Sequence, residues 1–269
     1  IMPYNFSKEA YHEAGWMVEG VTTYMGDIFL LRSGYFSLEE YFQTFEKVLN
    51  REAVNFGWQN QSILESSFDL WIDGYVAGIP DKKVSIYTHG ALIAFCLDAM
   101  LLDENSSLHQ VLKMLWKKFG KTKIGYTLEE VWEVVLSQTS HPIYFNQFYD
   151  DFIAGKEDIF PLVEKHLSSL GFDLTKKCKE DSLASDFGII KSENGKVAKV
   201  HPKSEAYSKL QIGDIIKKQE ISESTIKLSL DRFGRKIEVV LTKSSEFLFK
   251  DYQILDKKNN PKRVVWIGR

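Results

Sequence analysis

Glu19 is the residue whose type and neighbours best fit chemistry. Small side chains occupy the positions three, four and seven residues from it on a helical face: Gly15, Thr22, Thr23 and Gly26. Small residues let another helix come close, and a carboxylate at such a contact must be paired, hydrogen-bonded or bound to a metal. The alternative is a helix glutamate satisfied by an arginine or by solvent, and spacing alone leaves both interpretations open.

Other residue types give weaker signals. His12-Glu13 begins like the zinc motif HExxH, but Trp16 stands where the second histidine would be, so we interpret the pair as surface. None of the six histidines forms a ligand pair at helical or short-loop spacing. Cys96 and Cys178 lie far apart, and we expect two unpaired thiols rather than a disulfide or a cysteine zinc site.

Helical periodicity dominates the first two thirds of the chain. The Glu19 stretch predicts a helix that is capped by Asn5 or Ser7, runs to about Arg32 and stops at Gly34. Capping boxes at Ser37 and Thr127 open two further helices. Five more helical segments are predicted: 61–78, 90–102, 107–119, 141–152 and 160–170. The segment 90–102 is apolar nearly all round, so we expect it to be central.

From Lys176 onward, short strand-like runs replace the helices. They lie near residues 188–190, 197–200, 213–216 and 237–241, with a short helix at 204–210. The tail holds two more strand-like pieces, 247–255 and 263–267. We therefore predict a multidomain α+β protein with a helical domain at 1–174, a β domain at 175–245 and a tail at 246–269.

Charge and length exclude some classes of function. The net charge of −3 combines about −11 before Lys176 with +8 from Lys176 onward. Because the lysines of the second part are scattered without interleaved aromatics, a solvated surface is favoured over a nucleic-acid interface.

No apolar run of membrane-spanning length occurs. The chain begins with Ile1 and has no signal-like start, which indicates a processed or truncated piece and leaves the compartment unknown.

A family resemblance takes function further. The segments that carry it are Trp16-x-x-Glu19-Gly20-x-Thr22-x-Tyr24-x-Gly26-Asp27, Ser67-Phe68-Asp69-x-Trp71, Tyr87-Thr88-His89-Gly90-Ala91-Leu92, Leu97-Asp98 and Asp151-Phe152-Ile153-x-Gly155. In this order and spacing, the helical domain resembles the glycyl aminopeptidase-like zinc metallopeptidases that carry a PDZ domain. It would then be the all-helical C-terminal part of a thermolysin-like catalytic domain.

The resemblance implies roles for two residues. Glu19 matches the third zinc ligand, contributed by the helix after HExxH, and Tyr87 matches the tyrosine that donates a hydrogen bond to the oxyanion. His89 stands where the family often has a lysine, which puts the substrate preference in doubt. The chain has no HExxH, so zinc is expected in the intact parent protein but not in this fragment, and the fragment alone is expected to be inactive.

The β domain resembles a PDZ module. Phe187, Gly188, Ile189 and Ile190 would form its carboxylate-binding loop and adjoining strand. The partners implied are a peptide or protein substrate and a peptide ligand of the PDZ groove, with no nucleic acid and no membrane span. The alternative function is a non-catalytic PDZ scaffold that binds peptide C-termini.

Overall fold

The computed structural model describes residues 5–73, 79–257 and 260–268. The α-helices in chain order are α1 (Val21–Ser33), α2 (Leu38–Glu52), α3 (Ile63–Phe68), α4 (Leu70–Asp73), α5 (Thr88–Asp103), α6 (Leu108–Leu115), α7 (Leu128–Leu136), α8 (Pro142–Phe148), α9 (Phe160–Ser169), α10 (Ser182–Phe187), α11 (Ala206–Lys209) and α12 (Pro261–Ile267). A 3₁₀ turn spans Gly57–Gln59, and π-helical turns span Trp16–Gly20, Trp116–Gly120 and Tyr149–Ile153.

The strands are β1 (Phe172–Cys178), β2 (Ile189–Lys191), β3 (Val197–Val200), β4 (Ile215–Ile221), β5 (Thr225–Arg232), β6 (Arg235–Thr242) and β7 (Lys250–Asp256). The chain divides into two compact units: a first unit of Ile1–Leu174 and Ile254–Arg269, and a second unit of Thr175–Gln253. Helices beside small sheets confirm the predicted α+β class. Among the described helices, none has the length and apolar character needed to cross a bilayer.

Helix α5 is the centre of the first unit. Every residue from Thr88 to Leu101 is buried, as its nearly all-round apolar sequence predicts. Helices α1, α2, α6, α9 and α12 pack against it. A cluster of aromatic rings fills the space between α2, α5 and α12, with Tyr41, Phe45, Phe95 and Trp266 as members.

The predicted capping boxes are present. Ser37 and Glu40 exchange hydrogen bonds between side chain and backbone at the start of α2, and Thr127 and Glu130 do the same at the start of α7. Each exchange satisfies two amides that a helix start leaves without partners. At the other end of α1, Gly34 takes the left-handed conformation and closes the helix, as predicted.

The predicted start of the first helix is wrong. Residues 5–14 are not helical, and the amide of Trp16 donates to Ser67 Oγ (3.0 Å) instead of to a carbonyl of a preceding turn. Ser67 Oγ in turn donates to the carbonyl of Ile63 (2.7 Å), so the chain is tied to α3 at this point. The helical geometry therefore begins only after this anchor.

Two further predictions need correction. The helix expected at 61–78 is divided into α3 and α4, and residues 74–78 lie outside the described part. The strand expected at 263–267 is wrong, because α12 covers it. Asn260 Oδ1 accepts from the amide of Lys262 (2.9 Å) and Pro261 occupies the first turn, which together start a helix despite the β-branched pair that follows.

The second unit contains two antiparallel sheets. Strands β4, β5 and β6 form a meander, and β2 pairs with β3. Its core is formed by apolar side chains of these strands and of α10 and α11. Strand β5 was not predicted, although the alternation of apolar and polar residues over Thr225–Arg232 is the pattern of a half-buried strand. Strands β1 and β7 pair with each other, and the division between the units falls within both.

A buried ion pair organises one turn of the second unit. The carboxylate of Asp214 accepts from Arg232 Nε (2.8 Å) and Nη2 (2.7 Å), and also from the amide of Gln211 (2.9 Å). These hydrogen bonds from Arg232 and Gln211 lower the pKa of Asp214, although burial of the carboxyl opposes them. Gly213, directly before it, has φ +94°, which a side chain would strain. The Gly-Asp pair is therefore a structural turn.

Candidate active-site segment

Glu19 lies in the π-helical turn Trp16–Gly20, which leads directly into α1. Such turns insert an extra residue into a helix and are frequent at functional sites. The carbonyl of Glu19 accepts from the hydroxyls of Thr22 (3.0 Å) and Thr23 (2.7 Å). These two hydroxyls satisfy the backbone at the wide turn and so hold Glu19 in place.

The carboxylate of Glu19 is partly buried. Within the described part of the chain, it has no hydrogen-bond or ion-pair partner. The described residues also contain no group of three or more His, Cys, Asp or Glu side chains placed to hold a metal ion. Among the described residues, the Glu19 carboxylate therefore belongs to no group of three potential metal ligands.

Two glycines bring α5 against the Glu19 turn. A Cβ atom added to Gly20 would lie 2.5 Å from Cα and C of Gly90, and one added to Gly90 would lie 2.9 Å from Cα of Gly20. The two backbones thus touch without intervening side chains. Glu19 directly precedes Gly20, and Tyr87 lies three residues before Gly90, so the contact sets the two predicted site segments side by side.

Tyr87 directly precedes the first residue of α5 and is partly buried. The residues before it form an irregular segment in which Val84 and Ile86 are buried. The carbonyl of Tyr87 accepts from the amide of Ala91 (2.8 Å), and Ser85 Oγ accepts from the amide of Thr88 (3.1 Å). Both bonds fix the peptide group that links Tyr87 to Thr88.

His89 is buried rather than turned to a substrate. Its Nδ1 lies 3.0 Å from Glu52 Oε1, and Thr88 Oγ1 donates to Glu52 Oε2 (2.6 Å). Glu52 and His89 are only 1% and 3% exposed. The lysine-to-histidine difference noted in the sequence therefore concerns an internal contact.

Sequence reasoning missed Glu52, although a signal was present. Glu52 lies three residues after Leu49 and seven after Phe45, on the apolar stripe that predicts the buried face of α2. A carboxylate on that stripe must find partners inside the protein. The same argument that drew attention to Glu19 applies to it.

The predicted carboxylate-binding loop of the second unit is enclosed by its own chain. Phe187, Gly188 and Ile189 are buried, and Ile190 is partly buried. Gly188 ends α10 in the left-handed conformation, and its amide donates to the carbonyl of Leu183. A Cβ added to Gly188 would lie 2.9 Å from Leu248 Cδ1, which shows that the segment after β6 lies against this loop.

Comparison with known proteins supports the resemblance at family level. Residues 1–93 match the family model of the M61 glycyl aminopeptidases. The crystal structure of an aminopeptidase N family protein from Idiomarina loihiensis is similar over 100% of this chain, with a TM-score of 0.84 and 26% identity. The chain spans about half of that protein, 51% of its length. No curated protein sequence matches the chain significantly.

Both predicted catalytic-domain residues, Glu19 and Tyr87, fall inside the M61-matched region. The predicted resemblance to glycyl aminopeptidases is therefore confirmed for residues 1–93. The thermolysin-like zincin type and the PDZ module stay predictions, as do the roles of the site residues.

Proposed function

We propose that this chain is the C-terminal part of a zinc-dependent aminopeptidase that hydrolyses N-terminal peptide bonds. Glu19 would be one zinc ligand, and Tyr87 would stabilise the oxyanion of the tetrahedral intermediate. The observation that carries the proposal is the Gly20–Gly90 contact, which sets the segments of Glu19 and Tyr87 side by side within the region that matches M61.

The described part of the chain offers one side chain that could bind the proposed zinc ion, Glu19. The carboxylate of Glu19 is a suitable oxygen donor and has no partner among the described residues. A catalytic zinc site takes about three protein ligands, and the described residues do not supply the others. The remaining ligands would come from another part of a longer protein. When bound, zinc supplies Lewis acidity that polarises a peptide carbonyl and makes water more acidic.

Tyr87 would act through its phenol group. A neutral O–H donor aimed at the developing oxyanion stabilises the transition state more than the ground state, and so raises kcat. The two hydrogen bonds of the Tyr87–Thr88 peptide group hold the backbone next to Tyr87 before any substrate arrives, which supports the preorganisation that this role needs.

The test uses the longer protein that contains this chain. We expect hydrolysis of a dipeptide anilide with a free N-terminus, no hydrolysis of the N-acetylated form, and loss of activity with a zinc chelator. Tyr87→Phe should lower kcat by about 10²–10³ with little change in KM, as loss of one oxyanion donor does elsewhere. Equal cleavage of the free and acetylated substrates would contradict aminopeptidase activity, and an unchanged kcat would contradict the role of Tyr87.

Peptide binding by the second unit has less support. The amide of Gly188 is already used by the end of α10, and Leu248 lies against the loop. A peptide carboxylate would have to displace these internal contacts. Titration of the full chain with a peptide bearing a free C-terminus and with its amidated form tests this role, which requires the free form to bind more tightly.

A further inference from the structure

Glu52 is a buried carboxylate that reaches the first turn of α5 from the last turn of α2. One of its oxygens accepts from Thr88 Oγ1 (2.6 Å) and the other lies 3.0 Å from His89 Nδ1. Thr88 and His89 are the two residues that directly follow Tyr87. The start of α5 is therefore held by a side chain from a different helix, one and two residues after the proposed oxyanion donor.

The bonding pattern of this cluster is specific. The hydroxyl of Thr88 donates to one carboxyl oxygen of Glu52, and the other oxygen lies within hydrogen-bond distance of His89 Nδ1, so both oxygens have a partner in α5. A carboxylate in the interior costs several kcal/mol of desolvation unless all its acceptors are used, and an apolar side chain would fill the same space without that cost. Packing alone does not explain why this position carries an acid.

The other hydrogen bonds of the helix start are local and come from the irregular segment that leads into it. Ser85 Oγ accepts from the amide of Thr88 (3.1 Å), and the carbonyl of Ser85 accepts from the amide of His89 (3.1 Å). Glu52, in contrast, reaches the helix start from a different helix. Small changes in the first turn would move Tyr87 relative to Gly90 and the Glu19 turn. Misplacement of a catalytic group by about 1 Å can cost about 10²-fold in rate.

We propose that Glu52 and Thr88 are positioning residues, which hold the first turn of α5 so that Tyr87 points its hydroxyl at the oxyanion. This inference rests on the proposed function. The inference goes beyond the proposed function, because neither Glu52 nor Thr88 would touch the substrate or zinc. Glu52 would act through Thr88 and His89, and these two residues would act through the backbone of Tyr87.

The test is a double-mutant cycle on the longer protein with Thr88→Val, Tyr87→Phe and both together. Valine has the shape of threonine without the hydroxyl, so it removes the bond to Glu52 with little change in volume. We expect Thr88→Val to lower kcat about tenfold to a hundredfold, with KM and zinc content unchanged. In the Tyr87→Phe background the same substitution should lower kcat less than twofold, because the group that it positions is gone.

One conservative variant separates positioning from folding. Thr88→Ser keeps the hydroxyl that donates to Glu52, so it should retain kcat within about threefold of the original. If Thr88→Val does not fold, the cycle is run with Glu52→Leu in its place, and the same non-additivity is expected.

Each outcome bears on a defined claim. An equal loss of kcat from Thr88→Val with and without the Tyr87 hydroxyl overturns the positioning role, as does an unchanged kcat in Thr88→Val. If Tyr87→Phe alone leaves kcat unchanged, the proposed role of Tyr87 fails first, and the positioning role fails with it. Since that result comes from a different variant, the two failures are distinguishable.

Discussion

The close approach of Gly20 and Gly90 depends on the absence of two Cβ atoms. Helical spacing around Glu19 predicts that small residues admit a neighbouring element, and one does approach. At the predicted position Gly15, Ser67 of α3 comes within 3.1 Å of an added Cβ, whereas a Cβ on Gly26 would have nothing within 4 Å, and the closest approach, that of α5, is at Gly20. The π-helical turn shifts the register of the face, which a count of 3.6 residues per turn does not anticipate.

Gly20→Ala is therefore expected to destabilise the protein by about 1–3 kcal/mol, since its Cβ would overlap the backbone of Gly90. Gly26→Ala is the matched control, because it adds the same atom in the middle of α1 where space is open. This control should stabilise the protein by about 0.5–1 kcal/mol through the helix propensity of alanine. Urea unfolding of the two variants measures both. Equal changes in unfolding free energy for Gly20→Ala and Gly26→Ala would contradict the close contact between the backbones of Gly20 and Gly90.

At the scale of elements, a buried polar network joins α1, α5 and α12. Tyr24 Oη donates to Asp98 Oδ2 (2.6 Å) and accepts from Trp266 Nε1 (3.0 Å). Arg32 donates to the carbonyl of Trp266 through Nε (3.1 Å) and Nη2 (2.8 Å). Burial and the neighbouring Asp98 raise the pKa of Tyr24 well above its usual value, so the hydroxyl keeps the proton that it donates.

Tyr24→Phe should cost about 1–3 kcal/mol of unfolding free energy, because it leaves the Trp266 N–H unpaired and removes one partner of Asp98. Tyr35→Phe is the control: that ring is 76% exposed, so its variant should stay within about 0.5 kcal/mol of the original protein. Thermal unfolding of the two variants gives the comparison. A Tyr24→Phe protein as stable as the control would mean that the network contributes nothing.

Elements with strong local signals could be predicted from the sequence. The capping boxes of α2 and α7 and the apolar run of α5 each determine a helix without help from the rest of the chain. The network that holds α12 could not be predicted, because it joins Tyr24 and Trp266, which are 242 residues apart. Local pattern carries no information about which distant polar groups meet.

At the scale of the whole molecule, each unit contains a buried histidine whose pKa lies well below its usual value, His166 in the first unit and His201 in the second. Burial lowers the pKa of His166 in α9 to about 4, with the nearby Lys165 adding to the effect. Burial also lowers the pKa of His201 in the second unit to about 4. His201 Nδ1 accepts from the amide of Lys203 (3.1 Å), a bond that protonation of Nδ1 would break.

Acid should therefore weaken the fold within a defined pH window. The unfolded chain binds a proton at these histidines near pH 6.5 and the folded chain only near pH 4, so unfolding free energy falls as pH drops between these values. His166→Phe should remove up to about 3 kcal/mol of that dependence. Urea unfolding from pH 7 to pH 4 measures it. Parallel stability curves for variant and original would contradict the lowered pKa of His166.

The fold class and the family resemblance could be predicted from the sequence. Which residues come together at the candidate site could not. Glu19 and Tyr87 could be chosen by motif, but their shared contact depends on the crossing of Gly20 and Gly90. Glu52 has a sequence signal on the apolar stripe of α2, but its partners Thr88 and His89 are determined by the packing of α2 on α5. The described residues offer one acidic ligand and one phenol, so the account requires that a longer protein supply the rest.

The most direct test measures bound zinc in the longer protein that contains this chain, purified as Glu19→Gln and as Glu13→Gln. Glu13 is an exposed carboxylate of the same stretch and serves as the matched control. We predict one zinc ion per molecule in the original protein and in Glu13→Gln, and loss of both zinc and peptidase activity in Glu19→Gln. An unchanged zinc content in Glu19→Gln would contradict the assignment of Glu19 as a ligand.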